Sequence, residues 1–289
     1  MRVFWKRRLR KYWQGRKVVV TGASSGIGRA LVEVLAPYGV EFCLLSRRVE
    51  PMKELAEHLR ESPSHFWIRS CDVRDRTQVA ICLQDFANEK GGIDRIWVNS
   101  GLSQYTGMDC WSWEAFETMV DTNFKGAVYT IVEGLKIMIP QKEGAILAVG
   151  SAASMRGMPG RGVYSATKIG LEYVMDSLAV EYPHIQFTII HPGFVETPLN
   201  SDNPNRIWVV AVQKAARKMI SFAAKKGGRY VFPWQMALVY HIIRPMPVRL
   251  FRFLAGKLFR RYSRPGPSQM PEPLEDGEKS EKNSFIKRD

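Results

Sequence analysis

Lys17-Val18-Val19-Val20-Thr21-Gly22-Ala23-Ser24-Ser25-Gly26-Ile27-Gly28 is the stretch whose order decides the fold. A short β-branched run ends at Thr21, a glycine-rich turn follows at once, and apolar residues then recur at helical spacing over 29–37. Glycines let a backbone turn sharply and approach a pyrophosphate closely. A helix N-terminus offers that anion unpaired N–H groups and a positive dipole end. A glycine-rich turn alone is usually just a turn; strand before and helix after make it a dinucleotide site. The spacing is Gly-x-x-x-Gly-x-Gly, not the commoner Gly-x-Gly-x-x-Gly.

The alternation continues outward. Strand-like runs recur at 40–45, 66–68, 93–98, 145–149 and 185–190, separated by helical spacing over 52–59, 79–86, 116–138 and 169–180. Strands separated by helix-length segments predict βαβ units, hence an α/β protein with a doubly wound parallel sheet of Rossmann type. One such domain is expected over 17–232. It is preceded by a basic, aromatic extension (1–16) and followed by a basic amphipathic helical extension (233–264), broken at Arg244-Pro245-Met246-Pro247. Residues 265–289, rich in proline and charge, are expected to be disordered.

The net charge of +14 is unevenly placed. Residues 1–17 carry eight basic side chains and no acid, and 206–264 carry fourteen and no acid, whereas 18–205 hold 16 basic against 22 acidic residues. A nucleic-acid binder would carry basic patches on the folded body together with a reading module, so no nucleic-acid partner is expected. Four scattered cysteines, without a Cys-x-x-Cys pair or regular His spacing, exclude a disulfide scaffold and a metal site. The most apolar run, 230–243, is too short to span a bilayer and contains Pro233, Gln235 and His241. The first 17 residues lack the apolar region of a secretory signal. A cytoplasmic location is the expectation.

After the second strand the chain reads Ser46-Arg47-Arg48, with no acid before Glu50. An acidic residue there would bond a ribose 2′-hydroxyl; two arginines suit a 2′-phosphate instead, so NADP(H) is preferred and NAD(H) stays open. Tyr164 and Lys168 are i and i+4 neighbours at a helix start, close enough for an ammonium to favour a phenolate. Chance alone supplies about 0.6 such pairs in a chain of this composition. Context adds the specificity: Ser151 follows the strand 145–149 and presents a hydroxyl at the carboxyl end of the sheet, where open α/β folds bind ligands.

The 21–28 turn, Asn99-Ser100-Gly101, Asn123, Ser151, Tyr164, Lys168 and Pro192-Gly193-Phe194-Val195-Glu196-Thr197 stand in the order and spacing of the short-chain dehydrogenase/reductase family, which the chain resembles over roughly 15–232. The resemblance implies a catalytic set of Asn123, Ser151, Tyr164 and Lys168. Tyr164 would be the general acid/base for a carbonyl or secondary alcohol, and Lys168 would lower its pKa and bond the nicotinamide ribose. Ser151 would polarise the carbonyl, and Asn123 would hold a water in a proton relay. It further implies cofactor contacts from Gly22, Ser24, Ser25, Gly26, Ile27, Gly28, Arg47, Arg48, Asp72, Val73, Asn99, Tyr164, Lys168, Val195 and Thr197. Ser100 departs from the family's usual alanine, and Asn99 is expected to keep its role. A homo-oligomer is compatible with the resemblance. The competing class, a scaffold that keeps the fold without catalysis, predicts a missing Tyr or Lys, and neither is missing.

His191, before Pro192, reads as a strand-end residue rather than a catalyst. The variable stretch 198–229 carries an apolar block at 207–212, which reads either as core packing or as part of a mobile lid over a pocket for a hydrophobic, lipid-like substrate. On the 248–262 helix, Phe251, Leu254, Ala255, Leu258 and Phe259 share one face, while Arg249, Arg252, Lys257, Arg260 and Arg261 share the other, a separation that Leu250 and Phe253 spoil. A basic amphipathic helix of this kind suits peripheral attachment to an anionic membrane surface through 1–17 and 233–264; the alternative is that the C-terminal helices pack over the substrate pocket and their arginines are only solvated.

Overall fold

The computed structural model describes residues 2–201, 206–225 and 227–258. The expected tail 265–289, with Phe259, Arg260 and Arg261, lies outside them.

Seven parallel strands form one sheet in the order β3-β2-β1-β4-β5-β6-β7: β1 (Lys17–Thr21), β2 (Glu41–Ser46), β3 (His65–Ser70), β4 (Arg95–Val98), β5 (Ala145–Val149), β6 (Gln186–Pro192) and β7 (Gly228–Phe232). Strand order reverses between β1 and β4, whose register pairs Val20 with Trp97, and this opens the crevice in which such sheets bind ligands. The central strands are buried on both faces, as parallel strands under two helical layers must be.

One layer holds α2 (Gly26–Leu35), α3 (Glu50–His58) and α8 (Val212–Ala223), the other α4 (Arg76–Lys90), α6 (Gly126–Gln141) and α7 (Gly162–Glu181). The helix expected over 116–138 is divided. α5 (Trp113–Val120) passes into a π-helical turn, Asp121–Lys125, before α6 begins. Such turns rarely persist without a role, and this one carries Asn123.

Between the lid and the core reading of the variable stretch, the structure supports both in part. The 198–229 stretch is not simply a lid. Ala215, Ala216, Met219, Ile220 and Ala223 recur with helical period and are buried in α8, and Val210 pairs with Val195. The apolar run at 230–243 divides at Pro233, as expected from the boundary at 232/233, because proline cannot donate to a strand ladder. Before it lies β7 and after it α9 (Trp234–Ile243), followed by α10 (Val248–Leu258).

The N-terminal helix α1 (Arg2–Trp13) packs at the amino ends of the strands. Trp13 is fully buried, stacks on Trp97 with ring centres 6.1 Å apart, and donates its Nε1–H to the Ile220 carbonyl at 3.3 Å. Tyr12 bonds Gln186 and lies under the Arg95 guanidinium. A buried indole of this kind is worth on the order of 3–5 kcal/mol against alanine. The extension is therefore in part core, and it stands at the opposite end of the strands from α9 and α10.

Candidate active site

The carboxyl ends of the strands open onto a cavity of about 830 Å³. Gly22, Ser24, Ser25, Gly26 and Ile27 line it beneath β1, and φ at Gly22 and Gly26 is 68° and 54°, the left-handed region open to glycine. Ser25 leads into α2 in extended conformation without a side-chain cap, so the first-turn N–H groups face the turn. Gly28 does not line the cavity. A Cβ there would come 2.2 Å from the Gly22 carbonyl oxygen and 2.7 Å from Asn99 Nδ2, so this glycine lets the helix close against the turn. Gly28→Ala is expected to destabilise the fold by about 1–3 kcal/mol, read as a lower thermal midpoint together with weaker dinucleotide binding.

Asn99 donates to the Thr21 carbonyl at 3.0 Å and to that of Gly22 at 3.3 Å, tying the end of β4 to the turn, and the neighbouring Ser100 leaves this intact. At the end of β2, Arg48 donates to the Ser24 and Ser25 hydroxyls, both at 3.2 Å, and Ser46 to Ser24 at 2.9 Å. Arg47 is exposed, with its charge acting on Asp72. Hydrogen bonds from Arg74 hold the Asp72 carboxyl below the usual carboxylate range. Val73 is buried where Gly126 passes, and Thr197 reaches over Gly26, with Val195 buried behind it. Free helix N–H groups, hydroxyls and a guanidinium are the donors a dinucleotide requires, so these residues fit one.

Farther along, the cavity meets Ser151, Tyr164 and Lys168. The Ser151 hydroxyl accepts from the Ala153 N–H at 3.1 Å and hydrogen-bonds Tyr164. Lys168, one helical turn beyond Tyr164, is buried, and its Nζ donates to the Val149 carbonyl at 3.1 Å. Burial brings its pKa down to about 8. Burial also pushes the Tyr164 phenol up, and the influences that oppose this are the Ser151 hydroxyl and the charge of Arg161. The lowering expected from Lys168 is not found. Its Nζ lies 5.9 Å from the Tyr164 ring centre and is engaged with Val149.

Asn123 stands behind the cavity wall, fully buried. Its Nδ2 donates to the Leu102 carbonyl and its Oδ1 accepts from the Leu102 N–H, both at 2.8 Å. A Cβ on Gly101 would meet Asn123 Oδ1 at 3.2 Å and Lys168 Nζ at 3.3 Å, so the two side chains converge behind that glycine.

Two parts of the site were not read from the sequence. Arg161, just before α7, lines the cavity and donates to the Ser103 hydroxyl at 3.1 Å. The second is a buried cluster beneath Ser151. The Ser151 N–H donates to His191 Nδ1 at 3.2 Å, while His191 Nε2 lies 3.3 Å from Glu172 Oε2, both side chains fully buried. Glu172 is also paired with Arg229 of β7 and with Arg244, which is 2.7 Å away beyond α9. The Tyr240 hydroxyl of α9 reaches both Glu172 and Ser154. Burial alone would raise the Glu172 carboxyl; His191, Arg244 and Arg229 together outweigh it and hold it at about 2. Arg156 donates to the Ile243 and Met246 carbonyls at the end of α9. His191 is thus a strand-end residue, as expected, and it also connects the Ser151 turn to the C-terminal helices.

The model of the short chain dehydrogenase family matches residues 16–207. An uncharacterized oxidoreductase of Myxococcus xanthus is 30% identical over 246 residues, covering 84% of this chain and 97% of that protein. Levodione reductase superposes with a TM-score of 0.71 at 24% identity, covering 78% of this chain and 99% of the other. An alcohol dehydrogenase of the archaeon Thermococcus sibiricus, complexed with 5-hydroxy-NADP, gives 0.70 at 23% identity, covering 76% and 96%. The chain belongs to the short-chain dehydrogenase family and is an oxidoreductase of that family.

Proposed function

We propose that the chain is an NADP(H)-dependent carbonyl reductase, reversible in principle, that acts on a hydrophobic ketone or aldehyde with Tyr164 as general acid. The observation that carries this reading is one continuous cavity bounded by Ser46, Arg47 and Arg48 on one side and by Ser151, Tyr164 and Lys168 on the other.

A nicotinamide cofactor bound there supplies hydride. The protein's residues supply orientation, a proton and stabilisation of charge on the carbonyl oxygen. The Ser151 oxygen is occupied as acceptor by Ala153 N–H, which leaves its proton to donate. Tyr164 gives its proton to the carbonyl oxygen. Arg161 and the Ser151 hydroxyl both stabilise the phenolate that remains. Lys168, positioned by the Val149 carbonyl, is the donor for a ribose hydroxyl, and buried Asn123 fixes the backbone at Leu102. Met155, Met158, Leu199, Trp208, Met236 and Val239 give the remaining wall its apolar character, which favours a lipophilic substrate.

Cofactor choice tests this reading. Removing the guanidinium and placing a carboxylate at the end of β2, Ser46→Asp with Arg48→Ala, is expected to weaken NADPH binding by about 10–100-fold, the scale of a hydrogen bond to a charged group. NADH binding should be retained. Equal affinity for the two cofactors in the unmodified chain would contradict the assignment.

A further inference from the structure

The outer faces of α9 and α10 belong to no part of the site. Trp234, Leu238 and Ile242, four residues apart on α9, are 73%, 56% and 54% exposed. Met236 and Val239 of the same helix line the cavity. On α10 the expected sorting of faces is found for the described residues. Phe251, Leu254 and Ala255 turn toward the protein, with Arg156 over the Phe251 ring, while Leu250 and Phe253 stay exposed beside Arg249, Arg252 and Lys257. The residues that spoil the amphipathic separation in the sequence are the ones presented outward.

Scattered apolar side chains on a surface need no explanation, but six large ones on two consecutive helices, Val248 among them, do. Charge selects the occupant. No acidic residue occurs anywhere in 206–264. A second copy docking by the same face would set like charge against like, whereas an anionic bilayer offers an apolar layer beneath opposite charge. The N-terminal helix does not share this face, because it packs at the other end of the strands with Trp13 in the core.

We infer that the outer face of α9 and α10 docks on an anionic lipid surface, setting the cavity wall formed by α9 beside the lipid. The inference goes beyond the redox reading and does not depend on it.

The test uses the full chain with vesicles of phosphatidylcholine alone or mixed with phosphatidylserine. Cosedimentation is expected with the mixed vesicles and not with the neutral ones. It should fall sharply when salt is raised from about 0.1 M to about 1 M, which shortens the screening length from about 10 Å to about 3 Å. Arg249→Glu with Arg252→Glu should weaken binding by at least about 25-fold, roughly five-fold for each lost charge, while dinucleotide binding is unchanged. In the unmodified chain, lipids with brominated acyl chains should quench fluorescence, and Trp234→Phe should remove part of that quenching. Absence of binding to the anionic vesicles overturns the inference. So does binding unaffected by the double charge reversal, or a self-association that the reversal abolishes. A vesicle-bound protein that binds no dinucleotide would sink the redox reading alone.

Discussion

Tyr164→Phe is expected to reduce carbonyl turnover by about 10²–10⁴-fold, the range that a positioned general acid contributes, with dinucleotide affinity essentially unchanged. The substitution keeps the ring and its packing and removes only the oxygen that hydrogen-bonds Ser151. A structural role would change stability; a proton-donor role changes kcat. Stopped-flow cofactor binding and steady-state turnover on the same preparation separate the two. Burial raises the phenol pKa, and Ser151 and Arg161 offset only part of that rise. Retained turnover in the Phe variant would remove Tyr164 from the mechanism.

Glu172→Ala is expected to lower stability markedly. It would leave His191, Arg229 and Arg244 without their shared carboxylate, and breaking a buried ion cluster costs about 3–5 kcal/mol. Arg229 and Arg244 keep 33% and 25% of their side-chain surface, so water can partly replace the carboxylate and the lower end of that range applies. About 3 kcal/mol corresponds to a melting midpoint roughly 6–12 °C lower for a chain of this size. The pH dependence follows from the sign of the shift. The carboxyl is held at about 2, below its ordinary 4.5, so its contribution is complete above about pH 4.5 and is lost as pH falls toward 2. The stability difference between the unmodified chain and the variant should therefore shrink over that window, as followed by denaturant unfolding at stepped pH. A difference that is constant with pH would show that ionised Glu172 is not what stabilises the cluster.

Much of this protein is legible in its sequence because the decisive signals are local. The 17–28 stretch places a strand, a turn and a helix start within one span, and Tyr164 and Lys168 lie on one helix, so pattern and spacing suffice. What was not read depends on partners far apart in the chain. His191 looks inert until Ser151, forty residues earlier, and Glu172 are set against its two ring nitrogens. β7 is five residues long, with its first two exposed, and its apolar end runs into α9 across Pro233, so alternation has too little length to declare it. α8 did carry a readable period at Ala215, Ala216, Met219, Ile220 and Ala223; its small alanines, set among Lys214, Arg217 and Lys218, gave a weak apolar signal. The π-helical turn at 121–125 left no mark in composition, so two helices and the turn between them read as one.

The most direct measurement is carbonyl-dependent consumption of reduced cofactor by the unmodified chain, followed by absorbance across a panel of lipophilic ketones and aldehydes, with NADPH and NADH compared at equal concentration. Ketone-dependent oxidation of NADPH is expected to exceed that of NADH clearly and to increase with the apolar character of the carbonyl compound. Tight NADPH binding without oxidation by any of these carbonyls, or consumption that is equally fast with NADH, would contradict it.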